Sequence, residues 1–131
     1  MKTLNAKDDP VDLSLHKTPI THHNVKMYHH VYTGLRDDVI VPTIESTVAA
    51  MVAGGETDLL IIIDARDTKF DRKALAAFKQ TSHASQAVVK KIAVVGIHEI
   101  QTAFLNYISA VFKLNIKGFN DIDEAKDWLI E

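Results

Sequence analysis

The spacing of hydrophobic positions changes several times along the chain, and each change marks an element. Leu59 to Ile63 is an unbroken apolar run closed by Asp64. A strand that is apolar at every position buries both faces, so Asp58 to Asp64 predicts a strand at the centre of a sheet. Upstream, Val25 to Thr33 mixes aromatic and β-branched residues in partial alternation and stops at Gly34, which predicts an earlier strand. Between the two, Pro42 to Ala53 places Ile44, Val48, Met51 and Val52 on one helical face, with Gly54 and Gly55 to end it.

The second half alternates helix and strand. Asp71 to Val88 predicts a helix with Ala74, Leu75 and Phe78 inward and Ser82 or Ser85 continuing the stripe. Lys91 to Gly96 reads as a second buried strand, and Glu99 to Lys113 as an amphipathic helix aligned on Ile100, Phe104, Ile108, Val111 and Phe112. Asn115 to Phe119 is a short last strand. Asp121, with Glu124 three residues on, is an N-terminal cap for a final helix that buries Ala125, Trp128 and Leu129. Crossovers long enough for a helix imply parallel strands with right-handed connections. Residues 1–24 are polar and unperiodic, with Pro10 and Pro19, and predict either a tail or a short edge segment. One α/β domain is therefore expected over residues 25–131.

Composition narrows the chemistry. With 131 residues and 47% hydrophobic content the chain makes one ordinary core. A formal net charge of -2 offers no global attraction to phosphate backbones, which argues against nucleic acid as a partner. The chain has no cysteine, so disulfides, thiolate metal sites and cysteine nucleophiles are excluded. The start lacks the apolar stretch of a secretory signal, and the longest apolar run is too short for a transmembrane segment, so a cytoplasmic protein is expected.

Chemistry-bearing residues gather after the central strand. Asp64, Arg66, Asp67 and Asp71 follow one another at the carboxyl edge of the sheet, where open α/β sheets bind ligands. A receiver domain would use such an aspartate, but the acidic pair and the later lysine that it needs are missing; Asp64 and Asp67 otherwise cap the turn or pair with Arg66 and Lys69. Gly96 to Glu99 forms a strand-to-helix turn whose N–H groups are able to hold an anion, with His98 beside it, but a single glycine fits an ordinary tight turn better. No phosphate loop, dinucleotide fingerprint or nucleophile elbow is present. The histidine pairs His22 with His23 and His29 with His30 invite a metal reading. Neighbours on a strand point to opposite faces, however, and His22 would need a hairpin to meet His29 or His30, so neither a metal nor another cofactor is expected. The face of Ile100, Phe104, Tyr107, Ile108, Val111 and Phe112 is wider than sheet packing requires, leaving surface for core, an apolar pocket or a homodimer patch.

Leu59 to Asp71, followed by Lys90 to Gly96 and then Gly118 to Leu129, resembles the SpoIIAA-like group of short bacterial proteins, also labelled STAS/SEC14 and related in fold to anti-sigma-factor antagonists. The resemblance implies a mixed, mainly parallel sheet with packed helices and a leading strand at its antiparallel side. In the antagonists the helix after the buried strand opens with an Asp-Ser-Ser-Gly-Leu-like turn whose second serine is phosphorylated. The matching residues here are Asp71, Arg72, Lys73, Ala74 and Leu75, so the resemblance puts Lys73, which has no hydroxyl, at the phosphoacceptor position.

The function expected from these observations is a non-catalytic, STAS-like module that docks a protein partner without phosphoserine control. Its binding residues would be drawn from Asp64, Arg66, Asp67, Asp71, Lys73, Gly96 and His98. A module for a small apolar ligand or lipid, held between sheet and helices, is the alternative, and an enzyme centred on Asp64 and Asp67 is a third reading.

Overall fold

The computed structural model describes residues 12–68, 71–96, 103, 105–107, 109–110 and 113–131. Its sheet has five strands in spatial order β1-β2-β3-β4-β5: β1 Pro19–His22, β2 Val25–Val31, β3 Leu59–Asp64, β4 Val89–Val95 and β5 Ile116–Phe119. β1 and β2 form an antiparallel hairpin, and every later pairing is parallel. Helices α1 Asp37–Ala53 and α2 Arg72–Val88 make the crossovers around β3, and α3 Ile122–Leu129 ends the chain. Residues 103, 105–107 and 109–110, between β4 and β5, are also helical.

β3 lies at the centre of the sheet, as its apolar run requires. Ile61 and Ile63 pack with Tyr28, Ile44, Phe78, Ile92 and Val94 against α1 and α2. Ile62 points the other way, into a second cluster with Met27, Ala93, Val95, Ala125 and Leu129 beneath α3. The two-residue alternation of the strands thus divides one isoleucine run between two cores. Asp121 caps α3 by accepting from the Glu124 N–H at 3.1 Å.

Several boundaries differ from the periodic reading. α1 starts at Asp37, five residues before Pro42, with Pro42 inside it. No Ser, Thr, Asn or Asp side chain caps this start. Asp37 and Asp38 lie in the first turn, where they complement the positive end of the helix. The earlier start rotates the buried face onto Ile40, Thr43, Ile44, Thr47 and Met51, and leaves Val52 exposed. β4 begins at Val89 because an irregularity in the register beside Leu59 and Leu60 lets one extra residue into the ladder. Trp128 is only half-buried, and Leu75 packs at the margin of the core. Of the wide face expected between β4 and β5, Ile100, Phe104, Ile108, Val111 and Phe112 lie outside the described residues. Tyr107 is half exposed, and its neighbour Leu105 is buried in the core.

The segment before β2 is an edge and a cover. β1 occupies 19–22, joined to β2 by His23 and Asn24 at φ 50° and 66°. Two left-handed residues in a row give the turn whose twist matches a two-residue hairpin. Residues ahead of β1 lie against α1: the Leu15 N–H donates to Thr47 Oγ1 at 2.9 Å, and Ser14 is buried.

Candidate functional site

At the end of β3 the carboxylate of Asp64 is buried and surrounded. Arg66 donates Nε to Oδ1 at 2.9 Å and Nη2 to Oδ2 at 2.7 Å, and its backbone N–H lies 3.3 Å from Oδ1. His29 Nε2 adds a longer contact of 3.4 Å to Oδ2. These bonds, the Arg66 guanidinium first, hold the Asp64 carboxyl below the usual carboxylate range against the opposing effect of burial. The turn that returns Arg66 over its neighbour is tied down as well: Thr33 Oγ1 donates to the Arg66 carbonyl at 2.6 Å, and Asp67 takes φ 56°.

Gly96 is required by that turn. A β-carbon there would sit 2.9 Å from Arg66 Cα and 2.4 Å from Arg66 Cγ, and the residue has φ 85°. Its N–H donates to the Phe119 carbonyl, extending the β4 to β5 ladder by one bond. Asp64, Arg66 and Gly96 therefore form one packed knot. A carboxylate occupied by a bidentate guanidinium is poorly placed to attack a substrate or take up a cation.

Asp71 and Lys73 sit elsewhere. By strand alternation Asp64 faces the α3 side with Ile62, whereas Asp71 and Lys73 open α2 on the opposite side. Asp71 caps α2, accepting from the Ala74 N–H at 3.0 Å. With Asp37, Asp38, Ile40 and Val41 of α1, Asp71 and Lys73 line a cleft of ≈ 410 Å³ between the first turns of the two helices. Asp38 is paired with Arg36 at 2.9 Å. Among the described residues, two helix starts and three carboxylates surround one lysine, an arrangement suited to charge-selective docking.

The sheet thus separates the expected site residues into Asp64, Arg66, Asp67 and Gly96 around the β3 turn, and Asp71 and Lys73 in the cleft. His98 lies outside the described residues. Asp37 and Asp38 were not singled out by sequence reasoning, although two acids in a row just before a periodic apolar segment are a helix-start signal.

A third polar group lies in the interior. His30 is buried on β2, with Nε2 3.1 Å from Nδ1 of His16, whose ring rests 3.9 Å from that of Tyr28. Burial, reinforced by the neighbouring His16 and His29, pushes His30 down to about 3. Beside it, Tyr32, Thr47, Ser82 and Ser85 line a cavity of ≈ 20 Å³, the room of about one water. Tyr28 donates its hydroxyl to Glu56 at 2.6 Å, and Lys26 pairs with the other carboxylate oxygen of Glu56. Nothing local in the sequence marks His16 as the partner of His30.

Among the described residues no helix is long and apolar enough to cross a membrane. No curated protein and no solved structure matches the chain. A family model described as SpoIIAA-like matches residues 20–130, a span running from the hairpin through α3 and containing both the β3 turn and the cleft. The mixed sheet, with its antiparallel leading hairpin and parallel core, is the architecture that resemblance implied, and the chain belongs to the SpoIIAA-like family.

Proposed function

We propose that this chain is a non-catalytic, STAS-type protein-interaction module whose docking surface is the cleft between the first turns of α1 and α2, and which lacks a phosphoserine switch. The observation that carries the reading is the place of Lys73: it is exposed, it lines the cleft, and it stands where the family resemblance puts the phosphorylated serine. STAS-like domains are generally regulatory modules without enzymatic activity, which agrees with an Asp64 sealed by Arg66. Among the described residues, the ≈ 20 Å³ cavity between sheet and helices gives no support to the apolar-ligand alternative, since ligand pockets run to about 300 Å³ or more.

The cleft selects its partner by charge. Lys73 seeks an acidic side chain, and Asp37 favours a basic one while Asp38 is held by Arg36, so a partner segment of mixed sign is the complement. The test is capture of a partner by the wild-type chain, followed by charge reversal. Lys73→Glu and Asp37→Lys should each weaken the complex roughly tenfold or more, and Lys90→Glu, far from the cleft at the start of β4, should not. A complex equally sensitive to Lys90→Glu, or indifferent to Lys73→Glu, overturns the assignment of the surface. A chain that captures only a second copy of itself through the same residues places the homodimer there instead.

A further inference from the structure

The hairpin turn brings together donors that strand geometry alone would keep apart. His22 is the last residue of β1, and its Nε2 lies 2.8 Å from Asp127 Oδ1 of α3. His23 is already in the turn, at φ 50°, so it does not project to the opposite face as a strand neighbour would. Its ring stands edge-on to that of His22, with centroids 4.3 Å apart. One ligand atom from each of His22, His23 and Asp127 lies within 4.8 Å of the other two.

We propose that His22, His23 and Asp127 form a binding site for a divalent transition-metal ion of the zinc class, with the remaining coordination positions open to water. Two imidazoles and one carboxylate are the donor set such ions prefer, and imidazole nitrogen discriminates against magnesium and calcium. Metal–ligand bonds of about 2.0–2.2 Å at tetrahedral angles put donors about 3.3–3.6 Å apart. The His22–Asp127 contact therefore opens slightly to admit the ion, and exposed His23 closes in from within 4.8 Å. The supports are built. The turn fixes both histidines, and α3 is anchored on the sheet by buried Ala125 and Leu129, two residues to either side of Asp127. Because the donors are 105 positions apart in sequence, a bound ion clips the N-terminal hairpin to the C-terminal helix and stabilises the fold by linkage.

The tag-free full chain is titrated with zinc chloride by calorimetry and by thermal melting, with magnesium chloride as the reference. One zinc per chain and a melting temperature that rises with zinc and not with magnesium are expected. His23→Ala and Asp127→Asn change exposed side chains; each should leave metal-free melting nearly unaltered and weaken zinc binding roughly tenfold or more. His83→Ala, on the exposed side of α2, should leave it unchanged. Absence of any zinc response at millimolar concentration overturns the proposal, and so does zinc binding that survives the His23→Ala/Asp127→Asn double variant, since the ion would then lie on other histidines.

Discussion

His30 on β2 meets His16 from the segment ahead of β1 across 3.1 Å, and the pair joins a buried strand position to the cover that seals it. The consequence is a pH dependence with a definite sign. In an unfolded chain a histidine titrates near 6.5, whereas burial keeps His30 neutral in the fold down to about 3. Between those values the unfolded state binds the extra proton, so this contribution to stability is complete above about pH 6.5 and is lost as pH falls towards 3. Burial also lowers His16, which adds in the same direction. From pH 7 to 5, above the carboxylate range, His30 alone should cost about 2 kcal/mol. Urea unfolding across that interval measures it, and His30→Leu should remove at least half of the slope. An unchanged slope would assign the effect to another group.

Gly96→Ala tests the close approach at the β3 turn. The added carbon must displace the Arg66 backbone while holding a left-handed φ, so a loss of about 2–4 kcal/mol is expected, with a clear fall in melting temperature. A substitution that melts within a degree of wild type would show that the turn has room to relax.

Asp64→Asn separates structure from chemistry. It removes the charge from the buried bidentate pair with Arg66, whose side chain is 48% exposed, so the pair is worth less than a fully buried one. A loss of about 1–2 kcal/mol at pH 7 is expected. The Asp64 carboxyl is lowered, chiefly by Arg66, so its contribution is present above its ordinary value of 3.8 and lost as pH falls below it. Asp64→Asn should therefore flatten the most acidic limb of the stability curve and leave the histidine limb untouched. Binding of a captured partner should be unaffected, because the cleft is on the other side of the sheet.

Much of the fold was legible because it is encoded locally. The run from Leu59 to Ile63 could only be a strand covered on both faces, and Asp121 with Glu124 could be read as a cap from four consecutive residues. Asp71, expected as the first helical residue, is the cap just ahead of α2. The start of α1 was less legible: its acids act through the helix dipole, whereas Pro42 gave the stronger but misleading signal.

The candidate sites divide along the same line. By itself the sequence determined the family, the order of strands and helices from β2 on, and the presence of Lys73 two residues after Asp71, since these depend on residues close together in the chain. Only the tertiary structure decided that Asp64 and Lys73 lie on opposite sides of the sheet, that His16 covers His30, and that His22 and His23 meet Asp127. The physical reason is range. A strand's period says that neighbouring side chains diverge but not which face each takes, and a turn at His23 and Asn24 cancels that rule where it matters. Contacts spanning 105 positions follow from the face on which α3 packs, which the pairing of both cores settles together.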